Sequence, residues 1–150
     1  ALVLLLAAPM GLAATEPDSS ATDPGGDPDR ALRETLDGFA AAWSVSDHAA
    51  LAGFLDPEGV LVVLGADPER ETRLMPSQAF YLFRNLFRDA ETHSFAFTRI
   101  RPGESRAEYH AAAEWVSRST DTEEFATDRL LVKARRRESD WVVLEIRALR

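Results

Sequence analysis

Asp128 is the residue of this 150-residue chain best placed for acid–base chemistry. Its segment alternates so that Asp128 shares a side with Leu130, Val132 and Ala134, while Tyr109, Ala111, Ala113 and Trp115 share a side in the segment before it. Burial in apolar surroundings raises a carboxylic acid's pKa and makes it a usable acid or base near neutral pH. Tyr109, Trp115 and Asp128, with Arg99 as a cationic neighbour, therefore form the candidate ligand pocket, and Asp128 is its candidate catalytic group. The competing reading is structural: Asp128 ion-paired with Arg99 or Arg129, or exposed at the sheet's end.

Other chemistries find less support. His48, His93 and His110 include no pair at a ligand spacing such as i, i+4, so no metal site is expected. His48 points either into the interior or to solvent from a first helical turn, and His110 points outward. The absence of cysteine excludes disulfides, thiolate zinc sites and a cysteine nucleophile. No serine sits in a G-x-S-x-G elbow and no glycine run resembles a phosphate loop, so neither a serine nucleophile nor a nucleotide is indicated, and no cofactor is implied. Lys133, Arg135, Arg136 and Arg137 form a basic run that is either a site for an anionic partner or a solvated edge that discourages edge pairing. Aromatics do not interleave with it, and the net charge is −8, of which 15–29 carries −5. A nucleic-acid surface is therefore not expected.

Stepwise changes in period define the elements that must hold these residues. Leu32, Leu36, Phe39, Ala40 and Trp43 line a first helical face, opened by Asp27-Pro28. Asp47 caps a short second helix carrying Leu51, Phe54 and Leu55, which Asp56-Pro57 stops. A buried strand covers 60–64, and 67–70 reads as a turn. Ala79, Leu82, Phe83, Leu86, Phe87 and Ala90 then line a third helix at i, i+3, i+4, i+7, i+8 and i+11. Four alternating strands follow at about 92–101, 106–117, 124–136 and 140–149. In the last, Val142, Leu144, Ile146 and Ala148 are the inward set. Helices followed by strands predict an α+β domain, with helices covering one face of a mostly antiparallel sheet.

With 45% hydrophobic and 28% charged residues, the chain suits one globular domain, expected over 30–150. Residues 1–13 read as the remnant of a signal peptide: an apolar run too short to span a bilayer, ending in Gly11 and Ala13. Residues 14–29 are acidic and rich in Pro, Gly and Ser, the composition of a disordered linker. Export to the periplasm or the exterior follows as an expectation, with no stable membrane span after cleavage.

Ser77-Gln78-Ala79, Asn85-Leu86-Phe87, Ser94-Phe95, Tyr109, Arg129 and the stretch Trp141 to Arg147 occur in an order that resembles a bacterial family of secreted domains, the domain of unknown function 4783 family. That family lies in the nuclear-transport-factor-2-like (cystatin-like) superfamily. The resemblance covers about two thirds of the chain. Met75 stands where the family tends to have a serine cap, and Arg99 where it tends to have histidine. The resemblance implies a curved sheet wrapped around helices, forming a cone with an open mouth. It implies no activity, because the superfamily includes both non-catalytic binding domains and isomerases, cyclases and dehydratases with a pocket Asp or His.

Strand alternation also puts Phe125, Leu131, Trp141, Val143 and Leu149 on the sheet's outward side, with Val116. These are many large apolar groups for a solvated face, so an interface is expected there, most simply of a homodimer anchored by Trp141. The expected function is binding of a partner chain or a small apolar ligand. The alternative is a small isomerase, cyclase or dehydratase using Asp128.

Overall fold

The structure, a computed structural model, describes residues 28–65 and 71–149. The expected leader, most of the expected linker and the turn at 67–70 lie outside the described residues. Pro28 and Asp29, counted above with the linker, are the first residues of a helix.

Helix α1 (Pro28–Ser44) buries Leu32, Leu36, Phe39 and Trp43, the stripe that its spacing predicts. Asp47 accepts a hydrogen bond from the Ala50 amide at 3.0 Å and so caps α2 (His48–Ala52), which buries Leu51. Strands β1 (Val60–Val63) and β2 (Thr72–Leu74) pair antiparallel. Three residues with one apolar side chain are too few to show alternation, so β2 has no signature in the sequence. Helix α3 (Pro76–Asp89) buries Ala79 and Phe83. Where a serine cap is missing at Met75, the Gln78 side chain accepts the Met75 amide at 2.8 Å.

Strands β3 (Ala90–Pro102), β4 (Glu108–Ser119), β5 (Phe125–Arg137) and β6 (Asp140–Leu149) form consecutive antiparallel hairpins. The six strands run in the order β2-β1-β6-β5-β4-β3, and only β1 with β6 is parallel. The fold is thus the α+β arrangement expected: a curved, mostly antiparallel sheet wrapped around helices.

The helices lie on the sheet's inner face, where aromatic rings fill the space between layers. Trp43 stacks on Phe95 at 4.9 Å between ring centres, and meets Trp115 edge-on at 5.3 Å, Phe87 at 5.5 Å and Phe83 at 5.6 Å. Phe39 adds contacts to Phe54, Phe95 and Phe97. Buried aromatics dominate core energetics because each removes ~150–250 Å² from water. A second cluster of Leu32, Leu36, Ala111, Ala134 and Trp141 closes the other end.

Two of the sheet's three register shifts decide which face the expected site residues occupy, since one extra residue inverts strand parity. In β6, Glu145 pairs with Lys133 and Val143 with Ala134, so Leu144 is the extra residue. Ile146 and Ala148 point inward as alternation predicts, but before the bulge Trp141 and Val143 point inward in place of Val142 and Leu144. Trp141 is only 6% exposed and Val143 fully buried. The expected outward apolar patch therefore loses these two members, Trp141 as anchor above all. In β3, Phe97 pairs with Ala113 and Arg99 with Ala112, which makes Thr98 the extra residue and turns Arg99 to the outer face.

Candidate functional site on the outer face of the sheet

The four expected pocket residues do not converge. Tyr109 and Trp115 share the inner face of β4 but lie six residues apart, about 20 Å along a strand. Trp115 is buried and donates its indole N–H to the Thr92 hydroxyl at 3.0 Å. Asp128 pairs with Trp115 across β4 and β5, yet its side chain is exposed. Tyr109 packs edge-on against Trp141 at 5.5 Å and, with Leu32, Arg33 and Ile100, lines a cavity of about 210 Å³ beside α1. Arg99 is on the opposite face. Tyr109, Trp115, Asp128 and Arg99 are thus distributed over three places, and no apolar enclosure forms around Asp128.

The histidines are equally dispersed. His48 packs on Phe80, His93 on Phe125, and His110 Nε2 lies 2.8 Å from Glu108 Oε1. Among the described residues no group of three or more His, Asp or Glu could hold a metal ion.

The buried acids are elsewhere. Asp56, which the sequence marked only as a helix stop, is 0% exposed. The backbone places it: Leu55 bridges Val143 in parallel, and the Asp56 amide donates to the Val143 carbonyl at 2.9 Å. Arg135 Nη2 donates to Asp56 Oδ2 and Arg137 Nη1 to Oδ1, both at 2.8 Å, while the Glu58 amide donates to Oδ1 at 2.9 Å. Burial opposes ionisation of Asp56, but the Glu58 amide and the two guanidiniums outweigh it and hold its pKa below the usual aspartate value. Arg135 and Arg137 of the basic run read as a solvated edge or anion site are therefore already satisfied by Asp56 inside the chain. An arginine at every second position on one strand face was the available signal, but its partner lies 79 and 81 residues away.

Glu145 repeats the pattern beside it. It is 7% exposed, 3.1 Å from Lys133 and 2.7 Å from Arg147, which also holds Glu71 at 2.7 Å. Burial again opposes ionisation, but the bonds from Arg147 and Lys133 prevail, so the Glu145 pKa is lowered.

The outer face consequently divides in two. Over β1, β6 and the end of β5, Lys133, Arg135, Arg137 and Arg147 are each matched by an acid. Over β3, β4 and the middle of β5, Arg99, Arg101, His110, Ala112, Arg129 and Leu131 line a hollow of about 270 Å³. Among the described residues Arg99, Arg101 and Arg129 have no side-chain hydrogen bond or ion pair. Phe125 and Leu149 are exposed near this region and Leu131 is half-buried, so these three members of the expected apolar patch do face outward.

The curved, mostly antiparallel sheet wrapped around helices belongs to a recognisable fold class. No protein-family model matches the chain, and no curated protein matches it. Among solved structures it is similar to a DUF4783 family protein from Bacteroides ovatus, with 14% identity, a TM-score of 0.60, and coverage of 74% of this chain and 90% of that one. It is also similar to a putative isomerase from Bacillus subtilis at 15% identity and a TM-score of 0.63, covering 80% of this chain and 85% of that one. A hypothetical protein with a ketosteroid isomerase-like fold from Catenulispora acidiphila, in complex with trimethylamine, matches at 13% identity and a TM-score of 0.60, covering 78% and 85% respectively. These similarities establish the nuclear-transport-factor-2-like α+β fold that the sequence resemblance implied, with structures of the DUF4783 family among the relatives of that fold.

Proposed function

We propose that this chain is an exported, non-catalytic binding domain that engages its ligand or partner with the outer face of its sheet. The observation that carries this reading is the interior of the cone, where Phe39, Trp43, Phe83, Phe95 and Trp115 pack ring against ring in the space a substrate would need. Acid–base catalysis also calls for a proton-exchanging group with a pKa near working pH. Asp56 and Glu145 are instead held ionised by two cations each. Asp128 is in water.

Export rests on the short apolar run before the domain and the small residues Gly11 and Ala13. Among the described residues no helix is long and apolar enough to cross a membrane.

The test is native mass spectrometry of the mature domain recovered from its source cells, followed by hydrogen exchange of the recovered complex against the stripped domain. Protection should concentrate on β3, β4 and β5. Protection centred on α1 and α3, or turnover lost in Asp128→Asn at unchanged melting temperature, would favour the enzymatic alternative instead.

A further inference from the structure

We propose that the hollow over β3, β4 and β5 is a binding site for a small soluble phosphomonoester carrying a short apolar group. The proposal rests on the reading of the outer face as the binding face and names the ligand chemistry that fits it. Its floor is Ala112 and Leu131, paired directly across β4 and β5, and Arg99 is paired with Ala112 on the other side. Arg101 lies opposite His110 in the row on one side of this floor, and Arg129 opposite Glu114 in the row on its other side. Three guanidiniums, two from β3 and one from β5, thus border one apolar patch that has β4 between them.

The contrast with the rest of the sheet gives the cluster its meaning. Arg135, Arg137, Arg147 and Lys133 each touch an acid of this chain, whereas Arg99, Arg101 and Arg129 touch none among the described residues. The nearby acids do not cancel them: Glu108 is engaged by His110, and Glu114 makes no ion pair with Arg129 across the strands. Like charges on adjoining positions of one face repel. The Thr98 bulge brings this about, because in unbroken alternation from Phe97 through Thr98 the Arg99 side chain would point into the core. Thr98 anchors the bulge by donating its hydroxyl to the Ala112 carbonyl at 3.3 Å.

The chemistry selects the ligand. A guanidinium fork satisfies the two oxygens of a carboxylate by itself, so three forks are matched better by the three terminal oxygens and double charge of a phosphomonoester. A hollow of about 270 Å³ lies just below the range of ordinary ligand pockets and admits a headgroup with a short tail on Leu131 and Ala112.

Isothermal titration of the mature chain with hexyl phosphate, inorganic phosphate and hexanoate tests this. Hexyl phosphate should bind saturably, with the other two weaker by about tenfold or more, or ~1.4 kcal/mol. Arg99→Gln, Arg101→Gln and Arg129→Gln should each weaken hexyl phosphate by a similar factor while leaving the circular dichroism spectrum unchanged. Leu131→Asn should weaken hexyl phosphate and spare inorganic phosphate, and Arg88→Gln, on α3, should change neither. The proposal is overturned if wild type shows no saturable binding at millimolar probe, or if Arg88→Gln acts as strongly as the three site variants. Binding to phosphatidic acid vesicles without binding of hexyl phosphate would also overturn it, in favour of a membrane surface. So would a dimer that the arginine variants dissociate, in favour of a second copy. Hydrogen exchange that shows a captured partner on β3 to β5 in a chain that ignores hexyl phosphate would sink the phosphomonoester and leave the outer-face reading standing.

Discussion

Replacing Asp56 by Asn should destabilise the domain substantially, and only at pH values where Asp56 is ionised. Two charge-assisted hydrogen bonds from Arg135 and Arg137 end on this side chain at 2.8 Å. At ~1.5–3 kcal/mol each, they set an upper limit of about 6 kcal/mol. The Arg135 and Arg137 side chains are 41% and 39% exposed, so both can rehydrate when the charge is removed, and the Asn carbonyl can still accept one bond. The cost should therefore fall below the 3–5 kcal/mol of a fully buried broken pair, at about 2–3 kcal/mol. For a domain of this size that lowers the melting temperature by about 8–12 °C. The pKa of Asp56 is lowered in the folded state, so its contribution is present above the unfolded value of about 3.9 and is lost as pH falls through the folded pKa. Urea unfolding of wild type and Asp56→Asn between pH 7 and pH 2 reads this directly. The stability gap should be widest at pH 7, begin to close as pH drops below about 4, and vanish once the wild-type carboxylate is protonated. Glu145 titrates in both proteins and cancels from the difference. A gap under ~0.5 kcal/mol at pH 7, or one that stays constant with pH, would refute the account.

Trp141→Ala should cost about 3–5 kcal/mol in thermal or urea unfolding and leave the sedimentation mass unchanged, because the indole is a core residue and not a dimer anchor. Deletion of Leu144, the extra residue, should be tolerated far better, since Val143 then follows directly on Glu145, keeps its place opposite Ala134 and leaves itself and Trp141 inward; a loss of stability as large as that of Trp141→Ala would show that the bulge does not set the parity in this way. Asp128→Asn should alter stability by less than ~0.5 kcal/mol, as expected of an exposed side chain. Expressed with its leader, the chain should reach the periplasm or medium shortened by about 13 residues, as the length of the apolar run suggests, and intact cytoplasmic protein would rule this out.

The sequence alone determined the helices, the long strands and the inner aromatic layer. Phe39, Trp43, Phe83 and Phe87 recur at helical spacing, and Ala111, Ala113 and Trp115 alternate, because local periods register which side of an element meets the core. It also carried enough order in its short motifs to imply the nuclear-transport-factor-2-like cone. What it could not carry were properties that depend on two distant segments at once. Thr98 and Leu144 become bulged residues only relative to the register of β4 and β5, and each inverts the facing of the residues beside it. For that reason Arg99 left the expected pocket, and Trp141 and Val143 left the expected interface. Asp56 looked like a helix stop next to a proline, and only the folded chain sets it under two arginines about eighty positions later. Charge pairing over that separation has no periodic trace, so tertiary structure decided that Arg135 and Arg137 are neutralised by Asp56 while Arg99, Arg101 and Arg129 meet no acid among the described residues.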